Sequence, residues 1–309
     1  MSARVQEKTG ALLETMKFGT VAIIGRSNVG KSTLLNRLLG EKISIVSSKP
    51  QTTRTRIMGV AHVEGAQIAF LDTPGLHKPE HLLNRRMVRT AVETMEEADL
   101  FYMLMDATSL PSPGDLTAVK HMKEALAKQP RPVILVVTKI DLVNKQKLLP
   151  ILDRYGKLFA WTEVVPISAQ VDDNVDRLLA VTVPYLPSGE GAYGDDVVTD
   201  QTIRTLAAEI IREKVLQKTE EEVPYAVAVE IDEFVEQGKL AKIRASILVE
   251  RETQKGILIG KQGKRLKAIG TQARLDMERL FDVKVFLELW VKVRKAWRED
   301  EQTLVQLGY

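Results

Sequence analysis

Residues 25–32 read Gly-Arg-Ser-Asn-Val-Gly-Lys-Ser, and this stretch decides the fold of the N-terminal part of the chain. It is a complete G-x-x-x-x-G-K-S phosphate loop between an apolar strand pattern at Val21–Gly25 and a helical pattern that ends at Gly40. In that context the glycines let the backbone approach a pyrophosphate, and the helix N-terminus favours its negative charge. Lys31 is expected to reach the β- and γ-phosphates, and the Ser32 hydroxyl to bind Mg²⁺. The predicted nucleotide-binding residues here are Gly25, Arg26, Ser27, Asn28, Val29, Gly30, Lys31, Ser32 and Thr33.

The whole-chain composition is that of a globular protein with room for two domains. The 309 residues are 44% hydrophobic and 28% charged, with a net charge of only +3. The absence of cysteine excludes both a disulfide framework and a Cys-ligated zinc site. Residues 1–17 lack the apolar segment of a signal peptide, and no apolar run approaches the length that crosses a bilayer. We therefore expect a cytoplasmic protein.

Residues 18–187 alternate strand-like and helix-like segments. The strand patterns are short, continuous and apolar, as in parallel strands buried on both faces. Such alternation predicts a doubly wound α/β sheet with its ligand loops at the carboxyl ends of the strands. The predicted strands are Val21–Gly25, Gln67–Asp72, Leu100–Asp106, Val133–Thr138 and Val164–Ile167, and the helices are Asn84–Ala98, Asp115–Leu126, Lys145–Phe159 and Val175–Val183.

The pattern changes after a stretch crowded with proline, glycine and acidic residues at 184–196. We predict a linker at 188–199 between a first domain at 18–187 and a second at 200–309, and leave residues 1–17 unassigned. The second part predicts a small α+β domain in the order α-β-β-α-α-β. Its predicted elements include a helix at Asp200–Lys218 capped by Asp200 and strands at Val223–Val235, Leu240–Glu250 and Val283–Val293.

Three further segments follow strands in the order that guanine-nucleotide binding requires. Asp72 would hold Mg²⁺ through water, and the Gly75 N–H would contact the γ-phosphate. The Asp141 carboxylate can accept hydrogen bonds from N1–H and the 2-amino group of guanine, while the Lys139 stem would pack against the base. These segments add Asp72, Thr73, Pro74, Gly75, Leu76, Thr138, Lys139, Ile140, Asp141, Ser168 and Ala169 to the predicted nucleotide-binding residues.

The polar segment 50–56 has the character of a mobile loop that completes Mg²⁺ coordination. Thr53 is slightly favoured over Thr52 as the ligand, so the predicted metal ligands are Ser32, Thr53 and Asp72. Arg54 and Arg56 would either contact phosphate or RNA or be solvated. Because Leu76 stands where a water-orienting glutamine would be expected, intrinsic hydrolysis should be slow. The predicted catalytic residues are Lys31, Thr53 and Gly75.

A second motif, Gly260-Lys261-Gln262-Gly263, lies in a basic stretch between two helical patterns. Residues 255–274 contain six lysines or arginines and no acidic residue. This is the pattern of a KH module, which clamps single-stranded nucleic acid against an apolar groove. Trp290 and Trp297 are compatible with stacking on bases, but core or strand packing is favoured. The predicted RNA-binding residues are Ile259, Gly260, Lys261, Gln262, Gly263, Lys264, Arg265 and Lys267.

Taken together, the phosphate loop, the motifs at 50–54, 72–79, 138–141 and 168–170, and the Gly260–Gly263 loop resemble the Era family of bacterial GTPases. The resemblance spans residues 18–297 and implies an α/β P-loop NTPase (Ras-like GTPase) domain followed by an α+β type II KH domain. It also implies GTP or GDP with Mg²⁺ as ligands and, through Asn28, a K⁺ ion beside the phosphates. Leu76 matches the hydrophobic residue that the family carries in place of the glutamine.

The implied function is that of a GTP-hydrolysing switch. Proteins of this family bind the 3′ region of small-subunit (16S) ribosomal RNA, act in maturation of the 30S subunit, and associate peripherally with the inner membrane. We expect a monomer. Two alternatives stay open: an accessory GTPase for RNA modification, and an RNA tether gated by GTP without catalysis. Residues 200–309 show no pattern of a second active site, and no lipid-binding segment favours membrane remodelling.

Overall fold

The computed structural model describes residues 16–47, 49–76 and 79–309, and these residues form two β-sheets with helices packed on them. The unassigned segment 1–17 lies outside the described residues except for its last two positions, as do His77 and Lys78 of the family motif. The elements of the first sheet region are β1 Lys17–Ile24, α1 Lys31–Leu39, β2 Ile57–Val63, β3 Ala66–Asp72, α2 Leu82–Glu97, β4 Leu100–Asp106, α3 Pro113–Lys128, β5 Val133–Thr138, α4 Lys145–Gly156, β6 Glu163–Pro166 and α5 Val175–Thr182.

The first sheet has the strand order β2-β3-β1-β4-β5-β6 and is parallel except for β2. Strands β3, β4 and β5 are buried along their whole length, because helices cover both faces of the sheet. The predicted doubly wound α/β fold is confirmed, with β4 and β5 as predicted and the ends of the other predicted elements shifted by up to four residues. Its parallel strands end at one edge, where the phosphate loop and the Asp72 and Thr138 segments meet.

Strand β2 is missing from the prediction. It pairs antiparallel with β3 across a turn at Gly65, whose φ is 72°. Its residues Ile57–Ala61 are apolar and buried, and only His62 and Val63 at its end are more exposed. A hairpin turn at Glu64-Gly65 was the available signal.

Residues 188–199, the predicted linker, lie along the first sheet, and we call them the strap. The strap pairs with Lys17 through Ser188 and with Gly59 through Thr199, and the Val60 N–H donates to Val198 O at 2.9 Å. It therefore covers the outer edge of β2.

The second sheet, β7-β8-β9, is formed by β7 Ala228–Gln237, β8 Leu240–Val249 and β9 Lys284–Val293. Strands β7 and β8 are antiparallel, and β8 and β9 are parallel. One face packs on α6 Ile203–Lys218 and α8 Lys264–Phe281, while α7 Glu252–Ile259 follows β8 and α9 Glu301–Gln306 follows β9. The predicted order α-β-β-α-α-β is confirmed.

Local predictions in this part need three corrections. Helix α6 begins at Ile203 and is capped by Thr202, whose side chain accepts from Thr205 N, so Asp200 is not the cap. Residues Val223–Ala226 form a 3₁₀ turn, because Pro224 has no N–H to donate to a strand ladder. Trp297 is fully buried, as core packing predicts, but Trp290 is 59% exposed on the outer face of β9. Within the described residues, no helix has the length and apolar character needed to cross a membrane.

Candidate nucleotide site and nucleic-acid interface

The phosphate loop joins β1 to α1 in a conformation that only glycine tolerates at its ends. Gly25 and Gly30 have φ values of 149° and 107°, and a Cβ on Gly25 would lie 2.9 Å from the Leu104 carbonyl oxygen. No described side chain caps the N-terminus of α1, so its N–H groups face the loop. The Lys31 ammonium donates to the carbonyls of Gly25 and Arg26 at 3.2 and 3.0 Å. Burial lowers the pKa of Lys31 to about 8, although Asp72 opposes the shift.

Three predicted metal ligands converge beside Lys31. Ser32 Oγ donates to Asp72 Oδ2 at 2.7 Å, and Thr53 Oγ1 lies 2.9 Å from Ser32 Oγ and 3.3 Å from Asp72 Oδ2. Burial raises the pKa of Asp72, with opposition from Lys31 and from hydroxyl hydrogen bonds. The other carboxylate oxygen, Oδ1, is buried and has no hydrogen-bond partner among the described residues. This set of hydroxyl and carboxylate oxygens fits a hard divalent cation such as Mg²⁺.

Thr53 and Thr52 have different environments. Thr52 Oγ1 donates to the Lys49 carbonyl at 2.7 Å, whereas Thr53 is buried and faces Asp72. Ser44, which sequence reasoning did not select, also donates to Asp72 Oδ2, at 3.2 Å.

The segment after Asp72 lies directly against the phosphate loop. A Cβ on Gly75 would lie 2.5 Å from Ser27 Oγ and 2.8 Å from Ser27 N, so only glycine fits this approach. Thr73 fixes the segment by donating to Ile23 O at 2.9 Å, and Pro74 is buried beside it. Leu76 is 2% exposed and packs in the core beside α2, where its side chain cannot orient water.

The predicted base-binding segments meet at the same sheet edge. Thr138 Oγ1 donates to Val29 O at 2.7 Å, and the Lys139 ammonium donates to Asn28 O at 2.9 Å. The Ile140 N–H donates to Ile167 O at 3.3 Å, which places the Ser168-Ala169 turn beside this segment. Asp141 is exposed on the following 3₁₀ turn.

A cavity of about 440 Å³ runs from the Ser32 and Thr53 hydroxyls to Lys139. Asp141, Ser168 and Ala169 are not among its lining residues. The lining residues are Ser27, Asn28, Gly30, Lys31, Ser32, Thr33, Ile45, Val46, Ser47, Gln51, Thr52, Thr53, Gly75 and Lys139.

Asp106 is a site residue that sequence reasoning missed. Its Oδ2 accepts from Lys139 at 2.7 Å and from Arg26 at 3.4 Å, and Arg26 also lies 3.2 Å from Asp115. Burial raises the pKa of Asp106, but hydrogen bonds from Lys139 and Thr108 outweigh it and leave the pKa below its ordinary value. Its position at the end of β4, level with the end of β5, was the available signal.

Neither interpretation of Arg54 is right, because its side chain is 4% exposed and donates to the Val227 carbonyl of the second sheet region. Loop polarity does not reveal such a contact, since it depends on residues 173 positions away. Arg56 is partly exposed and pairs with Glu97 at 2.6 Å.

The Gly260–Gly263 loop joins α7 to α8 through a 3₁₀ turn. Gly260 and Gly263 have φ values of 69° and 72°, and Gln262 between them has a φ of 53°. Lys261 and Gln262 are exposed at its tip. Of the other predicted RNA-binding residues, Ile259 is partly buried, and Lys264, Arg265 and Lys267 are exposed on the first turn of α8.

A groove of about 380 Å³ lies next to this loop, between α8 and β9. Gly270 makes it possible, because a Cβ there would lie 3.3 Å from Leu289 Cδ1. The groove has an apolar floor and a basic rim, which suits bases and phosphates respectively. Sequence reasoning selected only Gly263 and Lys267 of its lining, which consists of Gly263, Leu266, Lys267, Gly270, Thr271, Arg274, Leu287 and Leu289.

Each of the two parts of the chain matches a known protein family. A family described as "50S ribosome-binding GTPase" matches residues 20–139, and a KH domain family matches residues 222–298. The chain is 47% identical to GTPase Era of Syntrophus aciditrophicus over 98% of its own length and 99% of that protein. It is 50% identical to GTPase Era of Geobacter metallireducens over 94% and 97% of the two chains.

Two solved structures of Era proteins also match nearly the whole chain. A crystal structure of an Aquifex aeolicus Era variant bound to GDP·AlF4⁻ matches with a TM-score of 0.89 and 44% identity, covering 95% of this chain and 99% of that one. A crystal structure of Era with MgGDPNP and nucleotides 1506–1542 of 16S ribosomal RNA matches with the same TM-score, identity and coverage.

Proposed function

This chain belongs to the Era family of GTPases, and from that premise we propose that it binds the 3′ region of 16S ribosomal RNA and assists assembly of the 30S subunit. The observation that carries the proposal is the presence, in one chain, of a nucleotide site at the edge of the first sheet and a basic-rimmed groove between α8 and β9. The related structure with Mg-nucleotide and RNA bound supports both halves.

The nucleotide chemistry follows from the positions of the chain's own groups. Lys31 and the N–H groups at the start of α1 would hold the phosphates, and the Gly75 N–H would contact the γ-phosphate. Ser32, Asp72 and Thr53 would hold Mg²⁺, whose contribution when bound is to neutralise charge on the phosphate oxygens. Water attacks the γ-phosphorus and GDP leaves, so the chain supplies charge stabilisation and orientation. The residue after Gly75 is the buried Leu76, whose side chain has no polar group to align the water, and we propose a slow intrinsic rate.

Base selection and RNA binding use separate parts of the molecule. We assign Asp141 to the guanine N1–H and 2-amino groups, with Lys139 supporting the base. We assign the exposed Lys261 and Gln262 to RNA phosphates and the Leu287–Leu289 groove to bases. The functional division we propose is 18–187 for the nucleotide, 188–199 as connection and 200–309 for RNA.

Three finer proposals rest on the family resemblance alone. Asn28 would hold a K⁺ ion beside the phosphates, the chain would act as a monomer, and it would contact the inner membrane peripherally from the cytoplasmic side. Sedimentation of the purified protein and flotation with anionic vesicles test the last two.

Multiple-turnover release of phosphate, measured with and without the RNA 3′ fragment, tests the main proposal. We expect slow release of phosphate by the protein alone and a different rate of release when the RNA fragment is present. Repeated turnover distinguishes a switch from an RNA tether that retains one GTP. Crosslinking in cells should recover the 3′ region of 16S RNA, and recovery of an unrelated RNA would overturn the assignment.

A further inference from the structure

Helix α6 of the RNA-binding part holds the loop that carries Thr53. We call residues 49–54 the Thr53 loop. Its Thr52 carbonyl accepts a hydrogen bond from the Arg212 guanidinium, and Arg212 is 1% exposed. Glu209, one turn earlier on α6, accepts a hydrogen bond from Arg212 Nε at 2.8 Å and so fixes the guanidinium. The backbone immediately before Thr53 is therefore tied to a buried cation of the second sheet region.

The residue immediately after Thr53 is tied to the same region by different groups. Arg54 donates to Val227 O at 2.6 Å and to Tyr225 O at 3.3 Å. Its guanidinium carbon lies 5.6 Å from the ring centroid of Trp297 and 5.5 Å from that of Tyr309. Two carbonyl acceptors and two aromatic faces around one buried arginine form a specific socket.

Glu213 anchors the chain upstream of the Thr53 loop. Its Oε1 accepts from the Val46 N–H at 3.0 Å, and its Oε2 accepts from Lys42 at 2.6 Å. Val46 also lines the nucleotide cavity. Contacts from α6 before Thr53 and the Arg54 socket after it thus fix the chain on both sides of the threonine whose hydroxyl lies next to Ser32 and Asp72.

We propose that Arg54 and Arg212 are positioning residues for GTP: by fixing the backbone on both sides of Thr53, they hold its hydroxyl where the cation and the γ-phosphate meet. The proposal rests on the proposed nucleotide site, which it deepens. Neither arginine lines the nucleotide cavity, and each acts through the Thr53 loop. Because a threonine in this position serves the triphosphate state and not the diphosphate state, the arginines should favour GTP over GDP.

The test compares nucleotide affinities of the full chain and its Arg54→Met and Arg212→Met variants. Arg204→Met is the matched control, because Arg204 lies on the same helix and, among the residues that the structure describes, donates only to Ile231 O in the second sheet region, at 3.2 Å. Kd values are measured with fluorescent GDP and with a fluorescent, non-hydrolysable GTP analogue, each across a Mg²⁺ titration.

We expect GDP affinity to stay within about twofold, while affinity for the GTP analogue falls about tenfold, the loss that corresponds to one charged hydrogen bond. The Mg²⁺ concentration at half-maximal analogue binding should rise in both variants, and the control should match the original chain. Equal losses for both nucleotides, or no loss, would overturn the proposal. If Arg212→Met fails to fold, as judged by thermal unfolding, the Arg54→Met result decides. A chain that binds neither nucleotide before substitution would instead refute the proposed function.

Discussion

Replacing Asp106 by asparagine removes one negative charge beside Lys139 while keeping the shape of the side chain. The Thr108 backbone N–H and hydroxyl donate to Oδ1 at 2.9 and 2.6 Å, and an amide oxygen can accept both. On the Oδ2 side, an NH₂ group would face the Lys139 ammonium at 2.7 Å and the Arg26 guanidinium at 3.4 Å. Two attractive contacts would thus become repulsive.

The size of the stability loss depends on how far water can replace the lost contacts of Lys139 and Arg26 with the carboxylate. The Lys139 side chain is 35% exposed, so its ammonium can be resolvated. We therefore expect a loss of about 1–2 kcal/mol in the free energy of unfolding, towards the low end of what a hydrogen bond to a charged group contributes. Lys139 also donates to Asn28 O in the phosphate loop, so a similar energy should appear as a 5- to 30-fold loss in nucleotide affinity. GDP and GTP should be affected equally, since Lys139 lies on the base side.

Chemical denaturation and nucleotide titration measure the two effects. Asp153→Asn is the control, because its exposed pair with Lys157 should contribute less than about 0.5 kcal/mol. The pKa of Asp106 is lowered in the folded state, so its stabilisation is present at neutral pH and lost as pH falls through that pKa, below about 3.9. Unchanged GDP affinity, or a loss confined to GTP, would refute the role assigned to Asp106.

Three other changes probe separate parts of the two sites. Asp141→Asn should weaken GTP and favour xanthosine triphosphate, because an amide can donate to the 2-oxo group; unchanged base preference in competition assays would remove Asp141 from the base site. Exchanging Na⁺ for K⁺ should speed hydrolysis, and Asn28→Ala should abolish the difference; equal rates in both salts would retire the K⁺ proposal. Replacing Lys261 and Gln262 together by aspartate should abolish RNA binding in gel shifts and any RNA stimulation of turnover, while thermal stability and basal hydrolysis persist. Retained RNA binding would place the interface elsewhere.

Local patterns predicted the elements of the first sheet that are buried on both faces. Strands β4 and β5 were predicted to the residue because each is a continuous apolar run with both faces covered. The nucleotide segments were predictable because phosphate and metal binding require particular residues at fixed spacing along the chain.

Features that depend on distant pairing were not predictable in this way. Edge strand β2 is defined by its antiparallel partner, and the Arg54 socket is formed by residues 225, 227, 297 and 309. Asp106 is an intermediate case. The sequence shows an aspartate at the end of a predicted strand, but its pairing with Lys139 depends on the order of the strands in the sheet. The roles of these residues depend on which residues lie next to them in the folded structure and not on the local sequence.

The strap determines where the connection between the two sheets can bend. Because Val198 and Thr199 are hydrogen-bonded to β2, bending between the sheets is confined to the few residues before α6 begins at Ile203. Arg212 lies ten positions after Thr202, at a radius of about 15 Å for a helix that rises 1.5 Å per residue. A rotation of about 10° would move Arg212 by about 2.6 Å, which is enough to break its hydrogen bond to Thr52. We therefore expect that a small rotation of the second sheet region about this connection would release the Thr53 loop from Arg212.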